Sequence, residues 1–243
     1  MKQTWMRRGS LALLALWVWA LALTASPLHA APGDEPVTFI LAGDHRQYDG
    51  PGYYDQCGYF RGVVEAAQMV GPGDFMVLTG DVEPLDDLAW TITRTLGSDY
   101  VWYPAVGNHE LPGDGHEAEP GENLAWLRAH PKDPNGPGTP PDLVRRGPAG
   151  CPETTYSFDY GNAHFVMLNE YCDADGETVT AGDVPDHLYD WLLNDLTGTD
   201  QAHVFVFGHE PAYPQPDADS GRVRHVGDSL DMVLLARIQF AVT

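Results

Sequence analysis

Phe75-Met76-Val77-Leu78-Thr79-Gly80-Asp81 is the stretch on which the fold turns. Four apolar residues in a row suit a strand buried on both faces. Gly80 then lets the backbone turn tightly, so that Asp81 points beyond the strand end. The same signature occurs before it, at Val37-Thr38-Phe39-Ile40-Leu41-Ala42-Gly43-Asp44. It recurs after it, at Val101-Trp102-Tyr103-Pro104-Ala105-Val106-Gly107-Asn108-His109-Glu110, and again at His203-Val204-Phe205-Val206-Phe207-Gly208-His209-Glu210-Pro211.

Helical patterns lie between these strands. Tyr59 to Val70 has helical spacing through Val63, Val64, Ala67 and Val70 and stops at Gly71-Pro72-Gly73. Leu85 to Leu96 suits a second helix. Asp183 and Pro185 start a third, running to about Leu196 with Leu188, Trp191, Leu192 and Leu196 on one face. Residues 156–168 read as strand, turn, strand. Residues 112–152 are thick with Pro and Gly, a long surface excursion with a short helix near 124–129. Alternating strands and helices predict an α/β fold, with a hairpin that makes the sheet mixed.

The chain has 243 residues, 13 Lys+Arg against 35 Asp+Glu, and a formal net charge of -22. Such an acidic balance argues against nucleic acid as a stable partner and against docking on anionic membranes. Residues 1–30 read as a secretory signal peptide: Lys2, Arg7 and Arg8, then an apolar run over 11–23, then Leu28-His29-Ala30 before the cut. The run is shorter than the roughly 20 residues a spanning helix needs, so no transmembrane anchor is expected. The expected location is secreted or periplasmic, with a mature domain of 31–243. Losing three positive charges and no acids takes its net charge from -22 to -25. Export permits a disulfide, and Cys151 and Cys172 flank the hairpin region and can bridge it, leaving Cys57 over.

The chemistry gathers at strand ends: Asp44, Asp81, Asn108, His109 and His209. In open α/β sheets ligands bind beyond the carboxyl ends of strands. Carboxylates, an amide oxygen and imidazoles form a mixed O/N donor set that suits Mn, Fe, Zn or Co.

At these residues the chain resembles the calcineurin-like metallophosphoesterases, which include the purple acid phosphatases. Gly80-Asp81 and Gly107-Asn108-His109-Glu110 match the family's second and third motifs, and Phe207-Gly208-His209-Glu210-Pro211 is similar to the histidine motif that follows. The 156–165 stretch is similar to a hairpin of secreted members. The resemblance implies an αββα sandwich of two mixed β-sheets flanked by helices. It implies hydrolysis of small-molecule or lipid phosphate esters, mono- or diester, by a hydroxide activated on two metal ions such as Fe, Zn or Mn. Asp81 would bridge them, Asn108 and His209 would hold one, and Asp44 the other. His109 would face the leaving group, with Glu110 accepting its other ring N–H.

The chain departs from the family in two places. Arg46 stands where the first motif often has histidine, and is expected to contact phosphate. His45 is expected on the opposite strand face, away from the metals. The family's closing Gly-His-x-His has no counterpart after His209. Arg237 and Phe240 resemble the family's next helix, and the chain reads as a C-terminally truncated member. The alternatives are an impaired pseudoenzyme or fragment, and a mononuclear hydrolase of amide or ester bonds. His164 is expected to be structural, and His225 substrate-side or on the surface.

Overall fold

β2 (Phe75–Leu78) is buried along its whole length and lies at the centre of a three-stranded sheet in the order β1-β2-β3. The structure, a computed structural model, describes residues 36–45, 59–112, 121–132, 138, 140, 143, 145–173, 176–177, 182, 184–210 and 238–241. Residues 1–30, the expected signal peptide, and Arg46, Cys57 and His225 lie outside the described residues. The chain order is β1 (Phe39–Ala42), α1 (Tyr59–Val70), β2, α2 (Leu85–Leu96), β3 (Trp102–Pro104), α3 (Glu122–Ala129) and β4 (Arg145–Arg146). Then come β5 (Tyr156–Tyr160), β6 (Ala163–Met167), β7 (Cys172–Asp173), β8 (Gly176–Glu177), α4 (Asp186–Gly198), β9 (His203–Phe207) and β10 (Ile238–Ala241).

β1, β2 and β3 are all parallel. The second sheet runs β10-β9-β6-β5-β4, parallel from β10 to β6 and antiparallel from β6 to β4. The fold is thus mixed α/β on two main sheets, with β7 and β8 as a separate ribbon. The hairpin makes the second sheet mixed as expected; the first sheet is purely parallel among its described strands, where a mixed one was expected.

Period-two alternation sends each strand's side chains to opposite faces, and three apolar clusters follow from it. Phe75, Val77 and Tyr103 of the first sheet meet Tyr156, Phe158, Phe165 and Phe207 of the second. The contact is aromatic: Tyr103 stacks on Phe158 with centroids 3.7 Å apart, and Phe75 meets Phe165 edge-on at 5.2 Å. Tyr156 fixes the docking with a polar bond, its hydroxyl donating to the Pro104 carbonyl at 2.8 Å. The opposite face of the first sheet, Met76, Leu78 and Trp102, packs on Phe60 and Val64 of α1 and Leu85, Leu88 and Ile92 of α2. On the second sheet Val166, Val204 and Val206 pack on Leu188, Trp191, Leu192 and Leu196 of α4, the face expected from spacing.

Several expectations change in detail. α1 buries Phe60, Val64 and Ala67, whereas Val63 is 41% and Val70 83% exposed. Only the i, i+4, i+7 stripe reaches the sheet. Among the described strands β1 is the edge of its sheet, half-buried and with Leu41 exposed, rather than covered on both faces. Phe240, expected in a helix, lies in β10, which extends the second sheet beside β9 and satisfies the backbone of that edge. Cys151 and Cys172 form a disulfide, bridging the hairpin as the spacing allows.

Beneath the start of β6, His164 is 2% exposed between two carboxylates. Its Nδ1 meets Asp159 Oδ1 at 2.6 Å and its Nε2 meets Asp195 Oδ2 of α4 at 2.9 Å. Ser157 donates to Asp195 Oδ1 at 2.8 Å, and Arg145 of β4 lies 3.8 Å from the same oxygen. Ionised carboxylates only accept, so the ring donates from both nitrogens, as an imidazolium does. Burial pulls the His164 pKa down, but the hydrogen bonds to Asp195 and Asp159 and their charges outweigh it, and the net shift is upward from 6.5. A raised folded-state pKa contributes stability that is complete below about pH 6.5 and is lost as pH rises through the folded-state value. His164→Gln should therefore lower the melting temperature, with the deficit against wild type largest below pH 6.5 and shrinking in alkaline buffer. Thermal unfolding across that range checks it, and a deficit that grows with pH would contradict this account.

Candidate metal centre

The carboxyl ends of β1, β2 and β9 converge. Asp44 and Asp81 each follow a glycine and have φ of 52° and 53°. This left-handed region is sterically disfavoured for residues with a Cβ, though Asp tolerates it better than most. Two such residues side by side are the kind of local strain found at functional sites. The Asp44 N–H donates to the Gly80 carbonyl at 3.1 Å, tying the two turns together.

Gly80 itself has φ 94°, and a Cβ there would lie 2.5 Å from the Gly107 nitrogen. The β2 and β3 loops therefore touch backbone to backbone, which a larger residue forbids.

Glu110 holds this junction. Its side chain is fully buried. Oε2 accepts the N–H of Asp81 at 2.9 Å and of Gly107 at 2.7 Å, and Oε1 accepts that of Val82 at 2.8 Å. Burial pushes its pKa up to about 7, helped by the nearby charges of Glu83 and Asp81 and opposed by the Val82 and Gly107 N–H groups. The sequence expectation paired Glu110 with the His109 ring. The structure instead spends both carboxylate oxygens on backbone N–H groups, since a short turn from Asn108 to Glu110 swings the side chain inward under the loops.

Asp81, 4% exposed, sits between two imidazoles. Its Oδ1 accepts the backbone N–H of His109 at 3.1 Å and lies 3.5 Å from His209 Nε2, and its Oδ2 lies 3.8 Å from His109 Nε2. His209 Nδ1 lies 3.0 Å from the Thr79 carbonyl, an acceptor only, so Nδ1 carries the proton there. That turns Nε2 toward Asp81, the orientation of a metal-ligating histidine held by a backbone carbonyl. Donor atoms of Asp44, Asp81 and His209 all lie within 4.8 Å of one another. Two carboxylates and an imidazole fit a divalent ion such as Zn, Mn or Fe.

Thus three of the four expected metal ligands come together. The fourth, Asn108, opens the turn whose next residue binds Asp81 through its backbone. His109 is one-fifth exposed at the mouth of the cluster. Arg46 lies outside the described residues. His45 stacks on Phe60 with centroids 3.9 Å apart, and burial holds its pKa down at about 4, so it is a neutral packing ring outside the ligand cluster.

Sequence reasoning passed over the Thr79 carbonyl, and over Glu170 just past β6, whose Oε2 accepts the Glu210 N–H at 2.7 Å. The signal was available: Asn169-Glu170-Tyr171 follows a strand end, as the other site residues do. A cavity of about 400 Å³ lies elsewhere, lined by Arg145, Asp159, His164 and Asp195. His164 pairs with Val204, five residues before His209, so that cavity is about 15 Å away at the other end of the strands. Its buried imidazole and Asp195 are already hydrogen-bonded to each other, so the ligand cluster marks the functional site better than cavity size does.

No protein-family model matches the chain, and no curated protein matches it.

Glu110→Gln keeps the shape but turns one acceptor into a donor facing backbone N–H groups. It should cost about 1–3 kcal/mol, read as a lower urea midpoint with unchanged m. A neutral result would mean that the acceptor lost in the exchange contributes no net stability.

Proposed function

We propose that this chain is an exported, metal-dependent hydrolase of phosphate esters, a calcineurin-like metallophosphoesterase of αββα architecture. The observation that carries the reading is the meeting of Asp44, Asp81 and His209, from three strand ends in two sheets, with three donors within 4.8 Å. The layering supports it as well, with helices packed on the outer face of each sheet and an aromatic core between the sheets.

Bound metal ions would supply the positive charge that a phosphate needs and would lower the pKa of water. The reading takes two ions, with Asp81 shared, Asn108 and His209 on one side and Asp44 on the other. The chain's own part is to hold these donors still. Glu110 anchors the backbone of Asp81, and Thr79 fixes the His209 ring. His109, partly open to solvent beside Asp81, is placed to give a proton to the leaving oxygen or to bind the phosphoryl group. Arg46 is the proposed phosphate contact, supplying a fork of donors. With a net charge of -22, the surface offers phosphate little attraction of its own.

One observation favours a second reading, an impaired or single-metal protein: the described His, Cys, Asp and Glu donors form one cluster of three. Metal counting decides between the two. The purified chain, loaded with Mn or Zn, should hold two ions and hydrolyse p-nitrophenyl phosphate or its bis ester. Asp81→Ala should lose metal and turnover together. One ion, with no turnover or with hydrolysis of carboxyl esters alone, supports the second reading. A wild-type chain that binds no metal, with Asp81→Ala indistinguishable from it, sinks both.

A further inference from the structure

His209 is presented by a short turn, Gly208 to Glu210, and that turn rests on two residues that follow β6. The Glu170 side chain is buried at 2% exposure, and its Oε2 accepts the Glu210 N–H at 2.7 Å. The same oxygen fills the space where a Gly208 Cβ would stand, 2.7 Å away. A side chain at Gly208 and this carboxylate exclude each other. Tyr171, 1% exposed, donates its hydroxyl to Glu210 Oε1 at 2.6 Å, and its ring centroid lies 6.4 Å from that of His209. The turn is therefore held at its backbone by Glu170 and at its last side chain by Tyr171.

This seat is itself braced from behind. The Asn169 side chain accepts the Tyr171 N–H at 3.0 Å and donates to the Thr154 hydroxyl at 3.0 Å. The Asn169 N–H donates to the Thr155 hydroxyl at 3.2 Å. Cys172, next in the chain, is bonded to Cys151, at the head of the same Thr154–Thr155 turn. The Gly182 N–H caps the Glu170 carbonyl at 2.8 Å. Each polar group named here is buried and paired, the condition under which a network holds one geometry.

We propose that Glu170 and Tyr171 are positioning residues for the metal ligand His209. They fix the Gly208 to Glu210 turn so that His209 Nδ1 meets the Thr79 carbonyl and Nε2 faces Asp81. This inference rests on reading Asp44, Asp81 and His209 as a metal site. Partners that orient a ligand without touching the metal typically change affinity 10–100-fold.

The test is titration of the purified full chain with Co²⁺ alone, reading affinity by calorimetry and ligand set by visible absorption. Wild type should bind. Glu170→Ala should bind about 10–100-fold more weakly, with an absorption band moved toward that of His209→Ala. Glu170→Gln keeps an oxygen for the Glu210 N–H and should recover most of the affinity and the wild-type band. Tyr171→Phe, which removes only the hydroxyl, should weaken binding severalfold, and it decides the matter if Glu170→Ala does not fold. Wild-type affinity and band in both folded variants overturn the inference while the metal site stands. So does equal weakness of Glu170→Ala and Glu170→Gln, because a lost acceptor would not then be the cause. A wild-type chain that does not bind Co²⁺ overturns the metal site itself, and the inference with it.

Discussion

Three backbone N–H groups, from Asp81, Val82 and Gly107, converge on the buried carboxylate of Glu110, and the geometry of the candidate site depends on that convergence. Parallel strands leave their loops side by side with N–H groups that have no ladder partner. In a buried junction each needs an acceptor. One carboxylate serves three at once because ionised oxygens accept several bonds. The energies oppose each other: burial disfavours the charge, while the N–H groups favour it. With the junction closed, Asp81 is held at its backbone, and its carboxylate is left to receive the His109 N–H and face His209.

Much of the scaffold was legible in local pattern. α2 spans the expected residues, and α4 buries the face that its spacing names. The strands end where glycine precedes a polar side chain, and Asp44, Asp81 and His209 meet there. The failures share a cause: each depends on what lies across space. Val63 and Val70 fit a helical stripe, but the sheet reaches only the one through Phe60 and Val64. β1 reads as doubly buried, yet among the described strands it is the edge of its sheet. Phe240 reads as part of a helix, yet it pairs in parallel with β9 as a strand. Glu110 sits beside a histidine in sequence, but a tight turn sends the two side chains to different tasks.

The two histidine clusters show how context separates roles. His164 has carboxylates on both nitrogens, so it has no lone pair to offer and serves as a charged tie between β5, β6 and α4. His209 has a backbone carbonyl on one nitrogen, and its other nitrogen is turned toward the donor cluster, 3.5 Å from Asp81 Oδ1. A donor's neighbour on the far nitrogen, rather than the number of acids nearby, distinguishes a ligand from a strut.

The bond from His209 to the Thr79 carbonyl crosses from one sheet to the other. Asp44 and Asp81 belong to the first sheet and His209 to the second, so the donor set does not exist in either sheet alone. It forms only when the aromatic faces of the two sheets have closed on each other. Ion capture and sheet association would then be thermodynamically linked. An ion that selects the closed form raises the free energy of separating the halves by mass action, as any ligand of the native state does. The cation would act as a rivet between two layers, and its concentration would become a variable in the cohesion of the whole domain.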